Sequence, residues 1–500
     1  MFRHACLIVA GIILLFSAPD AFSGTALDPT LELLVQKGII SREEAEKAMA
    51  ESALLHTNEM PAIDSSKWII NKALKNIQIY GDVRTRYEYR EAQVPDEGKI
   101  ELNRWRLAAR IGLRGEAFDN YYYGFRLETS SNPRSSWITL GGSSPGPFGK
   151  SNTGIAIGQA YLGGHWGDWL DISVGKMANP FFTTQMVWDP DLNPEGFAER
   201  LHYNIGQANF FLNLGQFLYQ DKNPAEATAG LVSGLPQHEE TIFMLGWQGG
   251  VNYEFTKDIS ARLGATLYQY LGVVKTNPAT STDFTFVGEG GFLGPGTGTI
   301  NGTAGPNNQT GINHLTVLEV PFQLDFLIHP WKNYPLSLRL FGDVAYNLDG
   351  KERAQEAAAA YANYLSINNA TIAPFAPQTS DVKAYQFGVS IGSSNAIGLV
   401  TEQLSRKHAW EARVYWQHIE QYALDPNLLD SDFFEGRGNL EGLFVGAGYG
   451  ISDNLFATFH YGYANRINDK IGTGGSNLDI PQVNPITHYH IFQVDLGFRF

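Results

Sequence analysis

Arginines recur at alternate positions in two stretches of the chain, Arg84 and Arg86 in the first and Arg104, Arg106, Arg110 and Arg114 in the second. Side chains two apart on an extended backbone share a face. A guanidinium stays charged at any working pH and offers five donors in a planar fork, so these residues would make a cationic wall. Further along, Asp189, Asp191 and Glu195 follow Trp188 within a Pro-containing stretch, 179–196. A carboxylate segment facing an arginine wall across water would set a transverse field that orients dipolar solutes and sorts ions by sign. A second reading stands beside the first. Asp82, Glu88 and Glu116 lie in the same two stretches, so the arginines can equally be structural ion pairs that solvate a wall.

Other chemistries find little support. The chain has no His-Glu-x-x-His or Walker-type loop, and no catalytic residue is assigned. His488 and His490 have a spacing that suits metal ligands, but the register of Phe492, Val494, Leu496, Phe498 and Phe500 puts them on an apolar face, so they read as interfacial histidines. No metal or cofactor is expected. The single cysteine, Cys6, leaves no disulfide or thiolate site. A formal charge of -15 from 36 basic and 51 acidic residues lacks the cationic surface that a phosphate backbone requires, so no nucleic-acid partner is expected.

The elements that would hold these residues follow from hydrophobic period. Residues 1–23 read as an export signal: Arg3, an apolar run over 5–16, and Ala21-Phe22-Ser23 before Gly24. Beyond it no apolar run is long enough for a membrane helix, so an exported chain of this kind is soluble or crosses a membrane as strands. Residues 31–38 and 41–55 carry helical spacing, with Ser41 and Glu44 placed as a capping box. They make 24–75 a short N-terminal helical arm, expected in the periplasm.

From residue 76 to 500 the period is two. Ile77, Ile79, Val83, Tyr87 and Tyr89 alternate with Gln78, Asp82, Arg84, Arg86, Glu88 and Arg90. Sixteen such runs fall near 77–90, 102–117, 121–130, 155–166, 170–178, 197–204, 207–219, 241–256, 259–274, 315–329, 335–348, 382–395, 408–423, 439–452, 455–469 and 488–500. The run at 197–204 and the connection at 394–407 fit least well, which leaves fourteen or eighteen strands open. Tight turns at 119–120, 167–169, 257–258 and 453–454 alternate with long connections at 275–314 and 349–381, the second holding a helical stretch at 351–365. Aromatics near run ends, among them Trp166, Trp169, Tyr253, Phe255, Trp410, Trp416, Tyr461 and Tyr463, suit the headgroup zones of a bilayer. The expected class is all-β: a transmembrane antiparallel β-barrel of about 16 strands whose outward face meets outer-membrane lipid and whose inward face lines water.

Three stretches carry a resemblance: Leu34-Val-Gln-Lys-Gly-Ile-Ile-Ser41 with Glu43 and Glu44, Gly175-Lys-Met-Ala-Asn-Pro-Phe181, and Trp188-Asp-Pro-Asp-Leu-Asn-Pro-Glu-Gly196. With the closing Phe500 they resemble the family of bacterial putative porins. The resemblance implies a barrel of the bacterial outer membrane, passive diffusion of small hydrophilic solutes and ions, and, as in general porins, a homotrimer with a third long loop bent into the pore. That loop would be 179–196, which would bring Asp189, Asp191 and Glu195 to face Arg84, Arg86, Arg104, Arg106, Arg110 and Arg114. The rest of the lumen is mixed, with Glu254, Glu319, Asp325, Asp343, Glu411 and Asp495 against Arg262, Arg339, Arg413 and Arg499, so the sign of selectivity stays open. Two other function classes stay open as well: a channel selective for sugars or organic acids, with an aromatic track drawn from Tyr80, Tyr122, Tyr161, Tyr268, Tyr270 and Tyr415, and a structural or adhesive barrel without an open pore.

Overall fold

In the computed structural model the chain divides into two units, Met1–Asn71 and Lys72–Phe500. The structure describes residues 35, 37, 41, 44, 74–95, 98–118, 120–130, 135–141, 154–220, 241–272, 299–300, 303–304, 313–331, 334–367, 374, 376–394, 396–401, 406–475 and 485–500. The export signal and most of the arm and of the 275–314 connection lie outside them. In the first unit, Ser41 N donates to Glu44 Oε2 at 2.7 Å and Glu44 N donates to Ser41 Oγ at 3.2 Å. This reciprocal pair is the capping box read from the sequence.

The second unit is a closed antiparallel barrel of sixteen long strands: β1 (Leu74–Val94), β2 (Gly98–Ala117), β3 (Tyr121–Ser130), β4 (Gly154–Trp166), β5 (Leu170–Lys176), β6 (Glu195–Ile205), β7 (Ala208–Gln220) and β8 (Ile242–Thr256) in the first half. The second half comprises β9 (Ile259–Leu271), β10 (Thr316–Trp331), β11 (Tyr334–Asn347), β12 (Lys383–Ser393), β13 (Trp410–Ile419), β14 (Leu440–Gly450), β15 (Leu455–Arg466) and β16 (His488–Arg499). Each strand pairs with its sequence neighbours, and β16 returns to β1 in a register that runs from Asp82↔Arg499 to Gln93↔His488. Closure removes the unpaired edges an open sheet would leave in lipid. At the seam Gly81 and Phe500 exchange both backbone hydrogen bonds at 3.0 Å. Gly81 is required there, because a Cβ would lie 2.4 Å from the Arg110 carbonyl oxygen and 2.7 Å from the Phe500 ring.

Alternation sorts the side chains as the period implies. Ile79, Val83, Trp105, Ile111, Leu162, Trp247, Leu340, Trp416 and Leu496 are exposed on the outer face, while Arg84, Arg86, Glu88 and Arg90 are buried inside. In water such an outer face would be a large apolar patch, whereas in a bilayer it is the solvated surface. The run at 197–204, which fitted least well, is β6, paired with β5 over Glu195–Leu201 and with β7 over Gly196–Ile205.

The connection at 394–409 fits poorly for a different reason. It joins two strands at the tight-turn end yet carries buried Ala396, Leu399 and Val400, because Glu411 of β13 accepts the amides of Gly398 at 3.0 Å and Val400 at 2.9 Å. A turn that should have been two or three residues long is thus anchored to β13 through a carboxylate. A single described helix, α1 (Gly350–Ile367), lies in the long connection between β11 and β12. It spans the helical stretch read at 351–365.

Candidate functional site

The segment after β5 cannot continue the ladder, because Pro180, Pro190 and Pro194 lack a donor. It carries Phe181, Met186, Val187 and Trp188, all buried, which a surface loop would leave in water. The segment therefore folds onto the far wall. The Phe181 ring packs edge-on against Phe217 at 6.0 Å and Tyr268 at 5.6 Å. Gln248 of β8 receives Phe182 N at 2.8 Å and donates to Phe182 O at 2.7 Å. Thr183 donates to Glu319, and Thr184 Oγ1 donates to Asp343 Oδ2 at 2.7 Å. The lumen carboxylates Glu319 and Asp343 are thus loop anchors rather than free pore charges.

A second segment, 420–439 between β13 and β14, enters beside the first. Asp189 N donates to Leu428 O at 2.6 Å and Asp430 N donates to Gln185 O at 3.3 Å, which joins the two loops backbone to backbone. Phe433 and Phe434 are buried, with Phe433 stacked edge-on against Tyr415 and Phe444. Asp425 accepts the hydroxyls of Tyr219 at 2.9 Å and Tyr270 at 2.5 Å. Sequence reasoning missed this loop. Its signal was present: an apolar Phe-Phe pair among Asp425, Asp430, Asp432 and Glu435 is wrong for an exposed loop and right for one that docks.

The arginine wall stands opposite. Arg84 pairs with Asp82 at 2.9 Å, and Arg110 pairs with Asp82 at 2.8 Å while reaching Asp191 at 3.3 Å. Arg86 grips Asp495 through Nε at 2.7 Å and Nη2 at 2.8 Å, and reaches Asp432 through Nη1 at 2.8 Å. Buried Glu88 gathers Arg90 at 3.0 Å, Arg104 at 2.5 Å and Arg106 at 3.5 Å. Trp137, from the connection after β3, lays its ring against Arg86 at 4.2 Å, Arg84 at 4.8 Å and Arg106 at 6.0 Å. Arg114 is nearer the turn end, bound to Gln78 at 2.9 Å and lying over Tyr80 at 5.0 Å. The other arginines of the wall divide between two arrangements. Arg104 and Arg106 belong to an ion-pair hub, while Arg84, Arg86 and Arg110 face the loop acids.

Between wall and loops lies a cavity of about 250 Å³. Arg84, Arg86 and Arg110 line one side, Asp189, Asp191, Asp430 and Asp432 the other, with Val400, Thr401 and His460 toward the turn end. His460 Nε2 is 3.1 Å from Val400 O, so the inturned 394–409 connection forms part of this narrow zone. Glu195 is not brought there. It begins β6, exposed, and pairs with Lys176 at 2.7 Å. Of the six tyrosines of the proposed track, Tyr268 and Tyr415 are buried beneath the loops and Tyr270 anchors Asp425. Tyr80, Tyr122 and Tyr161 remain on the turn-end wall.

The loop carboxylates do not titrate alike. Burial, with Asp430 and Asp191 close by, holds the Asp189 carboxyl well above the usual carboxylate range. Burial and the neighbouring Asp432 charge push Asp430 up to about 7. Asp432 is only half-buried, and Arg86 and Arg90 beside it outweigh its desolvation and hold it below its ordinary value. The arrangement can present fixed positive charge on one side and a titrating negative charge on the other.

Residues 96–287 and 312–500 match the sequence profile of a family described as putative porin. No curated protein sequence matches the chain. Among solved structures, OmpT of Vibrio cholerae expressed in the outer membrane is 9% identical and covers 87% of this chain and 100% of its own, with a TM-score of 0.38. A trimer form of the same protein is 11% identical over 85% of this chain and 99% of its own, with a TM-score of 0.37. A mutant porin of Rh. blastica is 11% identical over 85% of this chain and 100% of its own, with a TM-score of 0.35.

Proposed function

As the chain belongs to the putative porin family of the bacterial outer membrane, we propose that its barrel is a water-filled channel for passive diffusion of small hydrophilic solutes and ions. The observation that carries this reading is the constriction itself, where two inturned loops bring Asp189, Asp191, Asp430 and Asp432 to Arg84, Arg86 and Arg110 around a 250 Å³ cavity. A structural barrel has no use for a polar gap between docked loop acids and a charged wall. An aqueous path with a field across it sorts solutes by size, dipole and sign. Single-channel recording in a planar bilayer tests it. Stepwise ohmic openings with a reversal potential under a salt gradient are expected, and silence from folded, heat-modifiable barrel would overturn the reading.

The functional unit in this reading is a homotrimer. Glu199 of β6 shares the outward face with exposed Phe197, Tyr203 and Ile205 and is bound by Gln216 Nε2 at 3.0 Å. A carboxylate in the hydrocarbon band of a lone barrel is unfavourable, whereas the same group against a neighbouring subunit is sheltered from lipid. Residues 1–23 serve as the export signal in this scheme and 24–75 as a periplasmic arm. Cross-linking across the β5–β7 face is expected to trap trimers, and a uniformly monomeric barrel would refute the assignment.

A further inference from the structure

Toward the turn end of the barrel the inner wall changes character. The inward positions of β3 to β6 carry Tyr122, Tyr161, His165, Asp171, Arg200 and His202. A cavity of about 680 Å³ opens there, lined among others by Asn120, His165, Asp168, Asp171, Arg200 and His202. That is within the ~300–1,000 Å³ span of small-molecule clefts. It is separate from the constriction and larger.

Its polar groups are held in place by one another. Asp171 Oδ1 accepts Arg200 Nε at 3.0 Å, Arg200 Nη2 at 2.6 Å and the Tyr122 hydroxyl at 2.9 Å, while Oδ2 lies 2.8 Å from His165 Nδ1. The Tyr122 ring lies flat over Gly163, where a Cβ would come within 2.1 Å of the ring. The His165 imidazole lies against Tyr122 with centroids 4.8 Å apart and planes at 32°. His165 is still 59% exposed. Among the described residues, Arg200 Nη1, His165 Nε2, both His202 nitrogens, the Asn120 amide and the Asp168 carboxylate make no hydrogen bond. The cavity thus shows a ring face and a pinned Asp171–Arg200 pair beside unengaged donors and acceptors, and its two carboxylates against one guanidinium leave no surplus of positive charge.

From this geometry we propose a saccharide subsite in the turn-end vestibule, accepting a neutral mono- or disaccharide. Vicinal hydroxyls are donors and acceptors at once, so adjacent pairs satisfy a guanidinium edge, a carboxylate or a carboxamide two bonds at a time. The apolar C–H face of a pyranose covers the exposed imidazole. An anion would meet Asp168 and Asp171, and an apolar solute would leave the polar groups unpaired at a cost. The subsite rests on the channel reading, since a solute reaches it through the lumen.

The test is calorimetric titration of the full-length folded barrel, in a zwitterionic detergent without sugar headgroups, with glucose, maltose and sucrose, and with benzoate as an anionic control. Saturable binding of at least one sugar in the millimolar range is expected, with no benzoate binding. The double variant His165→Ala/His202→Ala should raise that Kd about tenfold, the scale of one lost 1.4 kcal/mol contact set. His165→Phe, which keeps the ring face, should lose less than His165→Ala. Heat-modifiable migration checks that each variant has folded, and KCl conductance should be unchanged because none of these residues lines the constriction. No saturable sugar binding, an unchanged Kd in the double variant, or tighter binding of benzoate would overturn the subsite. Failure of the channel reading shows separately, as a folded barrel that is silent in the bilayer whatever the calorimeter reads.

Discussion

Raising pH should turn the constriction toward cations, and the change should pass through Asp430. Its carboxyl, pushed up to about 7 by burial and by Asp432, is about 1% ionised at pH 5 and about 99% at pH 9. The wall opposite holds Arg84, Arg86 and Arg110, whose charge does not change over that range. One negative charge is therefore added to the gap of 250 Å³ that lies on the ions' path in the proposed channel. A charge met at ~4 Å contributes ~1 kcal/mol at the permittivity of water and more in a lower effective dielectric. At ~1 kcal/mol the passage of cations rises about fivefold and that of anions falls about fivefold, and screening at ~0.1 M salt reduces both. The cation-to-anion permeability ratio should then climb by about five- to thirtyfold between pH 5 and 9. Reversal potentials under a fixed KCl gradient, at unit pH steps, measure it directly. Asp430→Asn should abolish most of the transition and leave the channel near its low-pH selectivity. A flat profile, a drift toward anions as pH rises, or a full transition in Asp430→Asn would refute the reasoning. The sign also bears on loop docking. A carboxyl whose folded value is raised stabilises the fold below its unfolded value of 3.8 and loses that contribution as pH rises through about 7, so the 420–439 loop should hold less firmly in alkali.

Three further outcomes follow from named contacts. Trp137→Leu removes the ring that lies against Arg84, Arg86 and Arg106, each contact worth ~0.5–2 kcal/mol; the barrel should still fold and show heat-modifiable mobility, while single-channel currents become noisier and the reversal potential moves toward cations. Gln248→Leu orphans both backbone groups of Phe182 and the Thr266 hydroxyl it binds at 2.7 Å, at ~1–3 kcal/mol for each buried polar group left unpaired; the loop should detach, seen as a larger conductance and faster proteolysis within 177–194. Gly81→Val forces a Cβ to within 2.4 Å of a backbone oxygen at the closing seam, so the yield of heat-modifiable barrel on refolding should drop severalfold, and wild-type yield would mean that the seam is not closed in this register.

What the sequence made legible, and what it hid, divides along a physical line. Period-two alternation is local, since each residue's face is set by its neighbours two positions away, and so the strands, their number and the inward arginines could all be read. The destination of a loop is not local. Asp189 and Asp191 reach the wall because Phe181, Met186 and Trp188 must be buried and find Phe217 and Tyr268, while Gln248, Glu319 and Asp343 fix the backbone between. Those partners are spread over five strands, and nothing in their spacing announces that they converge. Glu195, six residues after Asp189, looks the same in sequence yet starts a strand and pairs outside the constriction. The 420–439 loop makes the same point from the other side: its Phe433 and Phe434 could have been read as a docking signal, since exposed loops avoid such pairs, but only the fold shows that the docked loop sets Asp430 and Asp432 at different protonation against one arginine. Composition therefore identifies which loops fold inward by the apolar residues they would otherwise waste on solvent. The charge that a solute meets depends on which acids those apolar residues bring close together, because like charges crowded in a buried place share protons in a way that separated ones do not.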